Sequence, residues 1–188
     1  MSLQDVVRRI VEVLDEVGIP YMLTGSVASS YYGSPRTTQD IDVVIAPDAE
    51  QISAFVQRLP NSEYYADETA ALDALRREAM FNVIDFATGW KVDFIIRKSR
   101  DFSRTEFDRR TTRALQGIKV AIASPEDLVI AKLEWASIGE SERQIGDAAE
   151  ILRSNRSRLD TDYILTWVER LGLSEQWRKA VETAGDRP

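Results

Sequence analysis

Apolar positions in the first 45 residues change from a helical spacing to a strand-like one. The spacing predicts a helix over 3–17, a strand over 21–24, a helix over 27–32 and a strand over 40–45. Gly18 and Pro20 end the first helix, and Gly33 ends the second. Short elements of both kinds therefore alternate from the start of the chain.

The mixture continues to residue 123, after which the pattern is helical only. Two β-rich runs, 80–86 and 90–96, flank Ala87-Thr88-Gly89, which is typical of a hairpin. The other predicted elements are helices over 49–58 (capped by Asp48) and 67–78, a strand over 118–123, and helices over 125–137, 141–154, 160–171 and 174–184. This order predicts an α+β fold, with a mixed core over 1–123 and a helical region over 124–188 packed on it.

The chain has no cysteine and no histidine, and this narrows its chemistry. Disulfides, thiolate catalysis, histidine-based nucleophilic triads and histidine-ligated zinc are all excluded. A bound metal must then be a hard cation held by oxygen, for which Mg²⁺ or Mn²⁺ is the natural candidate. Acid–base chemistry falls to carboxylates, lysine or tyrosine.

The charge is acidic overall but basic in one segment. A net charge of −7 and a pI near 4.8 argue against a general nucleic-acid coat protein. Residues 97–113 are rich in arginine, which suits either a solvated helix and loop or a surface that faces phosphates. No apolar run approaches the ~20 residues that span a membrane, and no signal-peptide pattern is present, so we expect a cytoplasmic protein without a membrane partner.

A Gly25-Ser26 pair follows the first predicted strand. Glycine there lets the backbone approach a ligand closely, and N–H groups at the start of the next helix favour phosphate. Ser26 adds a hydroxyl donor. The same pair also suits an ordinary strand-to-helix turn with Ser26 as the helix cap, so by itself it does not identify a phosphate site.

Asp40 and Asp42 lie in the second strand and carry a stronger signal. Side chains alternate along a strand, so both carboxylates point to one face while Ile41 and Val43 point to the other. Neighbouring carboxylates repel each other unless a cation neutralises them, and Mg²⁺ suits such a pair. Two solvated acids at a strand start are the alternative, which the apolar residues after Asp42 make less favourable.

Asp93 and Asp85 each interrupt an apolar strand, and the hairpin separates them. With the predicted turn, Asp85 lies opposite Lys91, and that ion pair gives it a structural explanation. Asp93 then faces Val83 without such a partner. Asp93 is therefore the better candidate for a third functional carboxylate.

Together these residues resemble the nucleotidyltransferase superfamily related to DNA polymerase β. The matching segments are Leu23-Thr24-Gly25-Ser26, Asp40-Ile41-Asp42-Val43 and Val92-Asp93-Phe94. Residues 36–42, 124–132 and 141–147 further resemble the small bacterial branch that includes abortive-infection toxins of type IV toxin–antitoxin systems. The resemblance covers roughly residues 20–155.

The resemblance implies a nucleotidyltransferase fold in which the acids lie on two neighbouring strands of an antiparallel or mixed sheet. It also implies transfer of a nucleoside monophosphate from a nucleoside triphosphate such as ATP. Asp40, Asp42 and Asp93 would then be catalytic and hold Mg²⁺ or Mn²⁺, with Asp93 assisting the incoming hydroxyl. Gly25 and Ser26 would hold the triphosphate.

Three further residues have roles that the sequence leaves open. Arg36 suits either a phosphate contact or an exposed loop position. Lys132 interrupts a nearly apolar helix and must reach solvent or meet an anion; in the resembled toxins a lysine on the corresponding helix suggests the triphosphate. Asp147 either orients Lys132 or caps a helix.

Two functions remain in competition. The first is an enzyme that modifies a hydroxyl of RNA (a tRNA end), a protein or a small molecule, for which the resemblance to the toxins implies a cognate antitoxin as a partner. The second is a non-catalytic module of the same fold that binds a nucleotide or a protein. A purely structural domain with salt-bridged acids is a third interpretation.

Overall fold

The computed structural model describes residues 3–33, 38, 40–115 and 117–185. Its helices are α1 Leu3–Glu16, α2 Gly25–Tyr31, α3 Ala49–Gln57, α4 Glu68–Arg77, α5 Asp101–Asp108, α6 Pro125–Gly139, α7 Glu142–Asn155, α8 Thr161–Leu171 and α9 Ser174–Thr183. Its strands are β1 Tyr21–Thr24, β2 Asp40–Ile45, β3 Tyr64–Ala66, β4 Met80–Asp85, β5 Lys91–Ile96, β6 Thr111–Leu115 and β7 Ile118–Ile122. The predicted α+β class is confirmed.

The strands of the described chain form one mixed sheet in the order β3-β4-β5-β2-β1-β7-β6. The pairs β5/β2 and β1/β7 are parallel, and the other neighbours are antiparallel. β2 therefore lies near the middle, with β1 on one side and β5 on the other. The expectation that the acidic strands are neighbours is confirmed.

Aromatic packing fixes which face of β5 is buried in the core. The ring of Phe94 stacks on Phe81 of β4 at 5.2 Å between centroids and meets the edge of Phe55 of α3 at 5.0 Å. Such pairs contribute beyond the apolar area that they bury. Because side chains alternate along a strand, Asp93 must point to the opposite face of the sheet.

Local signals explain where several helices begin. Asp48 and Gln51 form the capping box of α3, each side chain accepting a hydrogen bond from the backbone N–H of the other. Ser124 caps α6 by accepting from the Asp127 N–H, and Pro125 occupies the first turn. The predicted helix starts at these places are confirmed.

Contacts between Cα atoms divide the described chain into two compact units. The first contains α1, the sheet and α3–α5, and it ends at Ile122. The second contains α6–α9 together with residues 28–33. Within it, Asn155 Nδ2 donates to the carbonyl oxygen of Tyr32 at 2.8 Å, and the Tyr32 hydroxyl donates to the carbonyl of Ala123 at 3.1 Å.

Three elements were not predicted: β3, α5 and β6. β3 has three residues, and β6 has no buried residue to produce an alternating pattern. α5 begins after Arg100, which provides no side-chain cap. The segment 97–113, for which a solvated helix and loop was one interpretation, thus contains a helix and the start of a strand.

The predicted register of the β4–β5 hairpin is wrong by one residue. Lys91 pairs with Ile84 rather than Asp85, and Asp93 pairs with Asn82 rather than Val83. The Asp85 carboxylate accepts the N–H groups of Ala87 and Thr88, so it shapes the turn itself. A slip of one residue reverses the face of each side chain relative to its partner strand.

Candidate active site

Three candidate carboxylates and one lysine meet at the shared N-terminal ends of β2 and β5. The Cα partners across these parallel strands are Asp40 with Lys91 and Asp42 with Asp93. Paired residues in a sheet share a face, and alternate residues along a strand do so too, so all four side chains lie on the same face. We call this group the carboxylate end of the sheet.

β1 brings Gly25 to the same place. Thr24, the last residue of β1, is the Cα partner of Asp42, and Gly25 follows it with a φ of +61°. A Cβ atom at Gly25 would lie 1.9 Å from Asp42 Oδ2 and 2.9 Å from Asp42 Cβ. Only glycine has both the left-handed backbone and the missing side chain that this contact requires. Ser26 is buried immediately after it.

Lys91 forms ion pairs with two of the carboxylates. Its Nζ lies 2.9 Å from Asp93 Oδ2 and 3.4 Å from Asp40 Oδ1. The hydrogen bond to Asp93 raises the pKa of the Lys91 ammonium above its ordinary value, against the opposing effect of burial, and the charges of Asp93 and Asp40 add to the rise. The carboxylate end thus contains its own cation.

Asp93 is only half satisfied by this contact. Its side chain is 8% exposed, and its Oδ1 atom is buried without a hydrogen-bond partner in the described chain. A buried acceptor left in this way costs about 1–3 kcal/mol. Asp93 does have an ionic partner, so the expectation that it would lack one is wrong; the partner is Lys91 from its own strand.

The donor set fits an oxygen-ligated divalent cation. Oxygen is the ligand that Mg²⁺ and Mn²⁺ prefer, Asp93 Oδ1 lacks a donor, and the Asp42 carboxylate lies against the backbone of Gly25. Within the described residues, no three acidic side chains are already placed to hold one ion. Binding therefore requires some side-chain movement, and Lys91 is the group between two of the carboxylates.

Asp85 has the structural role expected of it, but with a different partner. Its buried carboxylate forms an ion pair with Arg9 of α1 rather than with Lys91. Together with the turn contacts of the hairpin, this explains an acid at that position of an apolar strand. Setting Asp85 aside from the candidate catalytic residues remains justified.

Lys132 and Asp147 lie in the helical unit and form a buried ion pair. Lys132 Nζ is 2.8 Å from Asp147 Oδ2 and 3.2 Å from Gln144 Oε1. The lysine is 5% exposed, so it does not extend to solvent. Asp147 lies inside α7, where it holds the Lys132 ammonium, so it does not cap the helix, whose N-cap position is Ser141. Arg36 lies outside the described residues.

Lys91 was missed as a candidate site residue. The signal was present, because Lys91-Val92-Asp93 repeats the alternation of Asp40-Ile41-Asp42 and places Lys91 and Asp93 on one face. The predicted hairpin register instead assigned the lysine to Asp85.

The sheet and the carboxylate end define a nucleotidyltransferase fold. The chain belongs to the family described as "Nucleotidyl transferase of unknown function (DUF2204)", whose model matches residues 3–178. The protein is thus a nucleotidyltransferase by family. No curated protein sequence matches it.

Solved structures with this fold are similar at low sequence identity. One is the antibiotic-resistance factor ANT(2'')-Ia in complex with adenylyl-2''-tobramycin, with a TM-score of 0.57, 14% identity and coverage of 92% of this chain and 97% of that one. A nucleotidyltransferase-like protein from Paracoccidioides brasiliensis has a TM-score of 0.55, 20% identity and coverage of 97% and 91%. The lincomycin-bound lincosamide adenylyltransferase LnuA has a TM-score of 0.55, 12% identity and coverage of 80% and 96%.

In the part of the chain that the structure describes, no helix is both long and apolar enough to cross a membrane.

Proposed function

We propose that this protein transfers a nucleoside monophosphate from a nucleoside triphosphate to a hydroxyl group, with Mg²⁺ or Mn²⁺ as the cofactor. The observation that supports this most directly is the meeting of Gly25, Asp42 and Asp93 at one end of the sheet. The buried, unpartnered Oδ1 of Asp93 adds to it, because such an atom is expected where a cation or a donor binds.

Each residue has a separate role in the proposed reaction. Asp40 and Asp42 would hold the cation, which would stabilise the negative charge that develops on the transferred nucleotidyl group. Asp93 would hold it as well and orients the acceptor hydroxyl. The hydroxyl oxygen bonds to the α-phosphorus as the bond to the pyrophosphate oxygen breaks, the hydroxyl proton passes to the Asp93 carboxylate, and pyrophosphate leaves. Gly25 and Ser26 admit the triphosphate to close contact with the backbone. From the resemblance to the toxins, Lys132 and Arg36 are proposed as phosphate contacts, although Asp147 and Gln144 hold the Lys132 ammonium in the structure.

The acceptor is proposed only as a hydroxyl compound. ANT(2'')-Ia and LnuA have structures with adenylyl-tobramycin and lincomycin, which supports testing small polar molecules and ATP first. The resemblance to abortive-infection toxins supports a tRNA or protein acceptor and a cognate antitoxin as the other candidates.

One observation favours the non-catalytic alternative. The described acids are not already arranged around a common cation position, and Lys91 forms ion pairs with two of them. A module that binds a nucleotide without transferring it would need no such arrangement. Binding and transfer must therefore be measured separately.

The first experiment measures thermal stabilisation by ATP, CTP, GTP and UTP, with and without Mg²⁺. We expect a metal-dependent stabilisation in the wild type that the Asp40→Ala/Asp42→Ala double variant loses. The control is Glu12→Ala/Asp15→Ala, which removes two exposed acids from α1. Absence of a shift with every nucleotide would contradict both candidate functions.

The second experiment uses α-labelled nucleotides with total RNA, cell lysate and a panel of small hydroxyl compounds. If the wild type transfers label to an acceptor and the Asp40→Ala/Asp42→Ala variant does not, the result supports the enzyme. Metal-dependent binding without transfer to any acceptor class supports the non-catalytic module instead.

A further inference from the structure

Lys91 is placed where a divalent cation would have to contact Asp93 and Asp40. It lies two residues before Asp93 on β5 and directly across from Asp40 on β2, so a single ammonium reaches both carboxylates. The lysine side chain is 39% exposed, whereas that of Asp93 is 8% exposed. The positive charge therefore lies at the solvent side of a buried acid.

A lysine at position 91 can be displaced from the carboxylates more easily than an arginine could be. A lysine ammonium is a compact charge on a flexible stem, and it can move away by side-chain rotation alone. An arginine at this position would hold a carboxylate through two parallel hydrogen bonds and would be harder to displace. Lys91 contacts Asp93 through Oδ2 only, while Oδ1 remains buried and unpartnered in the described chain.

An ordinary ion pair between strands would not need this arrangement. Surface pairs contribute little to stability and commonly lie between exposed side chains. Here the lysine joins two acids that would otherwise repel each other, one of them buried. The arrangement suits a group that neutralises the acids only until another cation arrives.

We propose that Lys91 is a resident counter-cation of the carboxylate end, which holds Asp40 and Asp93 in the metal-free protein and leaves Asp93 when a divalent cation binds. The inference rests on the proposed function, because it takes the same carboxylates as metal ligands. It assigns to Lys91 a positioning role: the lysine keeps the acids close together and sets the affinity for the cation through competition.

The experiment measures Mn²⁺ affinity by electron paramagnetic resonance of free Mn²⁺ in the wild type, Lys91→Met and Lys91→Arg. Loss of the competing charge should tighten Mn²⁺ binding by roughly tenfold in Lys91→Met, and the arginine should weaken it, because it holds the carboxylate more firmly. Lys119→Met removes an exposed lysine from β7 and serves as the matched control, with an unchanged dissociation constant.

A second measurement tests the metal-free protein. The melting temperature of Lys91→Met without metal should lie below that of Lys119→Met, because Asp40 and Asp93 then repel each other, and saturating Mn²⁺ should remove the difference. Circular dichroism confirms that each variant is folded.

The outcomes distinguish the inference from the proposed function. Equal Mn²⁺ affinity in all variants, or weaker binding in Lys91→Met, overturns the role of Lys91 and leaves the proposed function standing. No Mn²⁺ binding in any protein, including the wild type, overturns both.

Discussion

The contact between Gly25 and Asp42 predicts that Gly25→Ala lowers the free energy of unfolding for two reasons that can be measured separately: backbone strain and overlap with Asp42. The backbone of Gly25 has a φ of +61°, a conformation that costs a residue with a Cβ about 1–2 kcal/mol. The new methyl group would also lie 1.9 Å from Asp42 Oδ2 and 2.9 Å from Asp42 Cβ. The carboxylate can rotate away, but the Cβ atom belongs to a central strand, so overpacking adds about 1–3 kcal/mol.

Gly89→Ala is the matched control. Gly89 has a φ of +72°, and a Cβ atom there would meet nothing within 4 Å, so its replacement incurs only the backbone cost. Urea unfolding, followed by tryptophan fluorescence, gives the free energy of unfolding of each variant. The difference between the two substitutions measures the overlap with Asp42, which we expect to be about 1–3 kcal/mol.

Repeating Gly25→Ala in an Asp42→Ala background completes a double-mutant cycle. The cost should fall there without vanishing, because the Cβ atom of residue 42 remains. If Gly25→Ala is no more destabilising than Gly89→Ala, the close contact at the carboxylate end is refuted.

Three further predictions concern other parts of the structure. Asp147→Ala should lower the free energy of unfolding by about 3–5 kcal/mol in urea, because it removes the carboxylate that faces the buried Lys132 ammonium; a loss below about 1 kcal/mol would contradict the buried pair. Glu140→Gly should raise the free energy of unfolding by about 0.5–1 kcal/mol, and with it the melting temperature, because Glu140 ends α6 with a φ of +46°, which glycine adopts without strain. An unchanged melting temperature would argue against that conformation. Hydrogen bonds from the Ser99 N–H and hydroxyl lower the pKa of Glu78, so their contribution to stability is present above the ordinary pKa of 4.5 and is lost as the pH falls through the lowered pKa. The stability difference between wild type and Glu78→Gln should therefore be larger at pH 7 than at pH 3, and an equal difference at both would refute the assignment.

Much of the fold follows from local signals along the chain. The limits of β2 are those predicted, and the capping groups of α3 and α6 mark helix starts that the side chains alone identify. The elements that were missed lack such signals. β6 buries none of its residues, so its sequence has no alternating hydrophobic pattern. α5 begins without a capping side chain, so no residue marks its start.

The register in which strands pair could not be predicted from these local signals. The alternation of Asp40 with Asp42 predicts which face they share, but it does not predict the residue opposite each of them. In the same way, the spacing does not predict the register of β4 with β5, where the Asp85 carboxylate accepts hydrogen bonds from the N–H groups of Ala87 and Thr88 in the turn, and Lys91 pairs with Ile84 instead of Asp85. The lysine at the carboxylate end was missed for this reason.

The two neighbours of β2 have different consequences during protein synthesis. Pairing of β1 with β2 lies within residues 21–45, so the contact of Gly25 with Asp42 can form as soon as that stretch of chain has left the ribosome. Pairing of β2 with β5 closes a loop of about 50 residues, which carries an additional entropic cost. A growing chain therefore contains both partners of the Gly25–Asp42 contact before Lys91 and Asp93 are synthesised. Lys91 and the buried Asp93 that it neutralises thus join the sheet together, when β5 pairs with β2.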